Sequence, residues 1–253
     1  MNKDFLSRRA MLGVSAAGLA SVFTLSANAQ EQSQQRRQGG NRLRQGQPGQ
    51  QRELPKFEKA DFYTNGKFDE EKARDAIIRL ARYHRYPIFP GLREKLWVSD
   101  YGLGEFTAVG LAAVGFVNHV AGEYSYMMQD LFLLPNQMLP EHWHVKPEKT
   151  PNCPQKDEGW LIRYGRSYVI GEGEPNLPPE VVVPKVHWDG KTTVKHCTVA
   201  DPGVFVPLTR VESRHWQFAG KEGVILTEVA NAHDNASVRH SDPTANETFL
   251  KGV

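Results

Sequence analysis

Apolar residues fall most clearly at helical spacing in one stretch, where Ala73, Ile77, Leu80, Ala81 and His84 share a face, as the 3.6-residue period of an amphipathic helix requires. Asn65 to Asp69 supplies turn and N-cap chemistry before it, and Glu70, Glu71 and Asp75 stand in its early turns, where the helix dipole favours acids. Tyr86-Pro87 ends it, so His84 reads as a packing or capping residue. From Leu103 onward the texture changes to short apolar or alternating runs between Gly, Pro, Asn and Asp: 107–118, 123–134, 159–169, 192–198, 203–208, 215–218 and 224–229. Strands at this spacing with few helical stretches between them predict a mainly β fold, a sandwich or jelly-roll barrel behind an N-terminal helical segment. Ala112, Ala113 and Gly115 leave a helix as the competing reading for part of 107–118.

The ends of the chain change the picture. Ser7-Arg8-Arg9-Ala10-Met11-Leu12, an apolar run from Met11 to Leu25, and Ala27-Asn28-Ala29 before Gln30 read as a twin-arginine signal peptide over 1–29 with a small-residue cleavage site. The run is interrupted by Ser and Gly and falls short of the roughly 20 apolar residues a membrane span needs. Export through the twin-arginine translocase would deliver an already folded, already metallated protein to the periplasm or the medium. Residues 30–53 hold nine Gln, five Arg and four Gly in 24 positions, with Leu43 as the only large aliphatic. Such a segment cannot bury enough apolar surface to offset its ordering entropy, and reads as a disordered linker. The remaining 54–253 is sized for one core, since single cores grow to roughly 250 residues.

The formal net charge of +2 comes from these ends: 1–29 carries +2 and 30–53 carries +3, which leaves the folded body near −3. A slightly acidic body without a basic stripe offers nothing to displace counterions from phosphates, which excludes nucleic-acid binding. Cys153 and Cys197 allow at most one bridge after export and are not taken as metal ligands.

The sharpest chemical signal is Gln137-Met138-Leu139-Pro140-Glu141-His142-Trp143-His144-Val145-Lys146-Pro147-Glu148. In an extended strand alternate side chains share a face, so His142 and His144 can present two imidazoles to one ion. Glu148, beyond a turn at Pro147, can add a carboxylate, and His215, on a separate strand-like segment, a third imidazole. Three neutral imidazoles and one carboxylate leave positions open for substrate, as a catalytic divalent site needs. Manganese is the expected ion, with zinc, iron or cobalt also suited. This arrangement resembles the cupin superfamily, whose first motif runs His-x-His to Glu and whose second supplies one histidine. Residues 149–158 read as an insertion before Gly159, with Glu158 as the alternative ligand.

Four stretches in order narrow the resemblance to the D-lyxose isomerase family. Asp100-Tyr101-Gly102-Leu103-Gly104-Glu105-Phe106 with Gly110-Leu111 is similar to that family's D-x-G-L-G-D-F…G-L entry, and Gln137-x-x-Pro140-x-His142-x-His144 to its metal strand. Lys146 and Glu148 resemble its K-x-E, and His215 with Thr227-Glu228-Val229-Ala230-Asn231 its second histidine and later strand. The similarity spans about residues 86–240. It implies a cupin-type jelly-roll β-barrel and metal-dependent aldose–ketose isomerisation of a free sugar, and cupins often pair through sheet edges, so a homodimer is expected by resemblance. Within it, Glu228 is the expected general base and Lys146 its helper at the oxygens, with Gln137, Arg239 and Trp160 as sugar contacts. His233 and His240 share the loop region of Arg239, whereas His119, His187 and His196 are taken as structural. Two other functions fit the same donor set: a metal-dependent cupin oxygenase, and an exported sugar-binding cupin without turnover.

Overall fold

Helix α1 (Glu70–Tyr83) forms where the apolar period places it. Asp69 caps it by accepting from the Lys72 N–H at 3.2 Å, and His84 closes it as C-cap while its Nε2 meets the Glu222 carbonyl at 2.9 Å. The structure, a computed structural model, describes residues 52–150 and 152–252. The signal peptide read over 1–29 and nearly all of the linker read over 30–53 lie outside the described residues. A two-stranded ribbon, β1 (Tyr63–Thr64) and β2 (Lys67–Phe68), precedes α1, and a one-turn helix α2 (Leu92–Lys95) follows it.

The rest is strands: β3 (Trp97–Ser99), β4 (Leu111–His119), β5 (Tyr126–Leu133), β6 (Met138–His144), β7 (Glu158–Gly171), β8 (His196–Ala200), β9 (Phe205–Pro207), β10 (His215–Ala230) and β11 (Val238–His240). They form one nine-stranded sheet in the order β11-β6-β10-β5-β4-β3, with β7 joining β10 to β8 and β9. Every strand pair in it is antiparallel. The sheet curls on itself as a cupin-type β-barrel, and helix α3 (Pro243–Lys251), capped by Asp242 with Pro243 at its first position, ends the described chain.

Burial on both faces explains why the run at 107–118 admits a helical reading. Leu111 and Ala113 face the barrel interior with Leu131, Leu133, Val224 and Leu226. Ala112 and Val114 face the other way, into a second core beneath α1 with Ile77, Leu80, Phe132 and Ile225. A strand buried on both sides loses the polar alternation that would mark it as a strand. Phe132 is fully buried in that second core, its ring 5.2 Å from Tyr86. Phe132→Ala should cost about 3–5 kcal/mol, read as a shift of the urea midpoint without change in slope; a cost under about 1 kcal/mol would mean this layer is not part of the cooperative core.

A long segment between β7 and β8 covers a third cluster around Trp216, Phe218 and Ile170. It is anchored by Glu141, whose buried carboxylate accepts from the Thr193 N–H at 2.7 Å and the Val194 N–H at 3.2 Å. His187 belongs to the same anchorage, between the Glu141 N–H and the Lys191 carbonyl. His119 packs on Tyr126 and His196 bonds the Glu174 carbonyl, and Cys153 and Cys197 are free thiols.

Candidate metal centre and active site

Strand alternation brings His142 and His144 to the barrel interior, and His215 pairs directly with His142 across the β6–β10 ladder. The fourth member is Glu158, the first residue of β7. One ligand atom from each of His142, His144, Glu158 and His215 lies within 4.8 Å of the others. An ion with bonds of about 2.1 Å spaces its ligands roughly 3–4 Å apart. The Glu158 Oε1 is 3.0 Å from His144 Nε2 and 3.2 Å from His215 Nε2, yet these three buried atoms have no hydrogen-bond partner among the described residues. Buried polar atoms are normally satisfied, so three orphans converging on one point fit a shared cation.

The imidazoles are set up for the same role. His142 Nδ1 donates to the Pro140 carbonyl at 2.8 Å and His215 Nδ1 to the Ser213 carbonyl at 3.0 Å, which fixes the tautomer and leaves Nε2 as a bare lone pair. Burial, reinforced by the neighbouring imidazoles, holds His142 well below its ordinary pKa; burial likewise pulls His144 down to about 4. Neutral imidazole is the form that binds metal.

Glu148 is not part of this cluster. With Lys146 it is exposed and lines a separate groove beside Arg239 and Asp234, because the chain leaves the barrel after His144 and returns only at β7. Between β6 and β7 the Lys-x-Glu pattern occurs twice, at 146–148 and at 156–158, and the second copy is the one inside. Lys156 Nζ bridges Glu158 Oε2 at 2.8 Å and Glu228 Oε1 at 2.6 Å, and lies 3.3 Å from His233 Nδ1. Burial works against its charge, but the two carboxylates outweigh that and raise its pKa. Burial disfavours charge on Glu158 too, yet Lys156 and His144 hold its pKa well below the ordinary range, whereas for Glu228 burial prevails and the pKa is raised. Two carboxylates sharing one ammonium are thus pushed in opposite directions, Glu158 toward its charged form and Glu228 toward greater basicity.

Glu228 reaches this site through an irregular strand. His215, Gln217 and Ala219 share one face of β10, and Val224, Leu226 and Glu228 share another by count. Regular alternation over the odd separation of 215 and 228 would point them to opposite sides. The ladder shifts register between Ala219 and Val224, and Gly223 there has φ 75° with the place of a Cβ only 2.8 Å from the Leu133 carbonyl. The four-residue kink, 220–223, resets the alternation, so both halves of β10 face inward.

His142, His144, Lys156 and Glu228 open on a cavity of about 290 Å³, close to the lower bound of roughly 300 Å³ common for small-molecule sites. Trp97, Tyr101 and Phe249 give it an aromatic wall, and Gln129, His233, Asn235 and His240 add polar groups. Three expected sugar contacts lie elsewhere. Arg239 sits between Val238 and His240 on β11, so alternation turns it away from the cavity its neighbours line, and its Nη1 donates to the Ala236 and Val238 carbonyls at 2.7 and 2.8 Å. Gln137 is fully buried, its Oε1 accepting from the Leu134 N–H at 2.8 Å and its Nε2 donating to the Phe106 carbonyl, so its amide holds backbone. Trp160 fills the barrel interior, its ring 5.1 Å from that of His215, and braces a candidate ligand.

Tyr101 is held in an uncommon conformation. Its φ is 55°, and a bulky residue there costs on the order of 1–3 kcal/mol unless its surroundings impose it. They do: Asp100 Oδ1 accepts from the Gly102 N–H at 2.9 Å, Asp100 Oδ2 from the Tyr63 hydroxyl at 2.8 Å, and Ser99 Oγ from the Tyr101 N–H at 3.0 Å. Gly102 has φ 72° and no room for a Cβ, whose place is 2.4 Å from Thr248 Oγ1 on α3. The turn and α3 are therefore locked together, with Tyr101 and Phe249 facing each other.

No family model matches the chain. Among solved structures, the L-ribose isomerase of Cellulomonas parahominis superposes with a TM-score of 0.57 at 15% identity, covering 72% of this chain and 94% of that one. That of Acinetobacter sp. DL28, in complex with L-ribose, does so with 0.56 at 13% identity, covering 72% and 94%. These likenesses fix the fold. In sequence the chain is 33% identical over 174 residues to the D-lyxose/D-mannose isomerase of Thermosediminibacter oceani, covering 69% of this chain and 89% of that protein. It is 30% identical over 172 residues to the D-lyxose ketol-isomerase of Cohnella laeviribosi, covering 68% and 90%. The chain belongs to the D-lyxose isomerase family of aldose–ketose isomerases.

Proposed function

We propose that this chain interconverts a free aldose and its 2-ketose with the help of a divalent ion, manganese first, and works in the periplasm or outside the cell after twin-arginine export. The observation that carries the reading is the placement of Lys156 and Glu228 in one cavity beside the His142, His144, Glu158 and His215 cluster. A divalent ion held by those four residues would polarise the carbonyl and acidify the adjacent C–H. Glu228, a carboxylate whose burial raises its basicity, takes the proton from C2 and returns it to C1. Lys156, with ammonium protons within reach of both carboxylates, donates to the carbonyl oxygen and recovers a proton from the C2 hydroxyl, so the two carbons and two oxygens exchange hydrogens with no net change in composition. The His233–Asn235 contact, Nε2 to Oδ1 at 2.6 Å, holds the imidazole beside Lys156. Export rests on Ser7 to Leu12 and the small-residue site at 27–29.

The test is elemental analysis of the mature protein followed by incubation with D-lyxose and other aldoses under nitrogen. Ketose should form, chelation should lower the rate at least a hundredfold, and manganese should restore it. Oxygen uptake without ketose would replace this reading by an oxygenase, and a sugar-induced thermal shift without turnover by a binding protein.

A further inference from the structure

We infer that Tyr101 and His240 are specificity-determining residues, reading the terminal hydroxyl of an uncharged sugar chain at the far wall of the cavity. This rests on the isomerase reading of the site and deepens it. Both side chains line the cavity with Glu228 and His142, and neither is among the four candidate ligands.

Four rings make that wall nearly immobile. The Tyr101 ring stacks on Phe249 with centroids 6.2 Å apart and planes at 22°, lies 5.1 Å from the His240 ring and meets Trp97 edge-on at 6.2 Å. The strained turn beneath fixes the tyrosine backbone, so its ring can neither swing out nor rotate away without unstacking its neighbours. What this rigid arrangement leaves over is polar. The Tyr101 hydroxyl has no hydrogen-bond partner among the described residues, and neither has the buried Nδ1 of His240. Burial, and then the charge of Glu228, push the tyrosine pKa upward, so the hydroxyl remains a donor. The His240 backbone is itself held, its N–H donating to Asn246 Oδ1 at 2.9 Å.

Leaving the His240 Nδ1 unpaired in a packed wall is unfavourable, and with the Tyr101 hydroxyl beside it on the cavity it is suited to a ligand that brings the complement. The phenol offers a donor, the imidazole a donor or acceptor, and the rings between them offer faces for C–H groups. That combination matches the hydroxylated tail of an open-chain sugar whose C1 and C2 lie at Glu228 and Lys156. It does not suit a phosphorylated tail: among the described residues the other cation lining the cavity is Lys95, which is exposed.

The experiment is calorimetric binding of D-lyxose and 5-deoxy-D-lyxose to the manganese-loaded protein and its Tyr101→Phe and His240→Phe variants, which keep the ring contacts. Wild type should prefer D-lyxose about a hundredfold. Each variant should lose about tenfold in affinity for D-lyxose, one hydrogen bond's worth, while binding the deoxy sugar within about twofold of wild type and keeping its manganese and melting temperature. An unchanged preference in both variants overturns the inference and leaves the isomerase reading standing. Binding as expected without turnover overturns the reading of the reaction and leaves the recognition intact, and no D-lyxose binding at all to wild type removes both.

Discussion

Glu158→Ala should strip the protein of its ion and its activity, whereas Glu148→Ala should change neither. Glu158 is the one anion among the four converging donors, and its side chain is 1% exposed. Replacing a supporting residue around a bound metal typically costs 10–100-fold in affinity, so deleting the anionic ligand itself should weaken retention by more than about a hundredfold. A second loss accompanies the first. Lys156, 6% exposed, keeps only Glu228 as counter-charge, and breaking a buried ion pair costs about 3–5 kcal/mol. The melting temperature should therefore fall even in chelator, where metal makes no contribution. Glu148 is exposed in a separate groove, and such substitutions usually stay within about 0.5 kcal/mol. Elemental analysis and thermal melts decide the matter: full metal content in Glu158→Ala, or loss of it in Glu148→Ala, would overturn the assignment of Glu158.

Glu228→Gln should leave the ion in place and remove turnover. The amide is nearly isosteric and still accepts from Lys156, but it cannot take a proton from carbon, and removing a positioned general base lowers rates about 10²–10⁴-fold. In heavy water the wild-type ketose should carry deuterium at C1, because the proton taken from C2 can exchange while Glu228 holds it. The variant should show neither turnover nor label. Wild-type turnover without any label in the ketose would point to direct hydride movement and sink the base role of Glu228; a fully active variant would do the same.

Much of the candidate site was legible because strand periodicity is a local property. His142 and His144 are two residues apart, so any extended segment puts them on one face, and His215 is the histidine on a later strand. The helix over 70–83 was equally plain from its apolar period and caps. What sequence could not resolve was the length of the excursion between β6 and β7. Lys146–Glu148 and Lys156–Glu158 carry the same residues at the same spacing, and only the path of the chain between them decides which pair returns to the interior. Arg239 reads in sequence as a loop residue at the mouth of the barrel, whereas it stands on β11 between Val238 and His240, the two residues that line the cavity. Gln137 and Trp160 suggest sugar contacts in sequence because polar and aromatic side chains serve that purpose in open clefts; in a closed barrel the same chemistry goes to backbone support and packing. Asp242-Pro243, an N-cap followed by proline at the first helical position, is a recognisable start signal, but the polar residues after it hide the apolar period of α3, and with it Phe249 and the aromatic wall.

The kink at 220–223 makes the count of residues between His215 and Glu228 a functional quantity in its own right. Inserting or deleting a single residue there would leave the ladder on either side free to re-form, but every side chain beyond it would trade sides. Thr227, whose hydroxyl now donates to Asp130 on the outer layer at 2.6 Å, would turn inward and Glu228 would turn out. The imidazoles of His142, His144 and His215, which precede the kink, would keep their places, with an alcohol where the carboxylate had been. A lineage drifting away from catalysis has, in this kink, a one-step route to a site that keeps its imidazoles without its base.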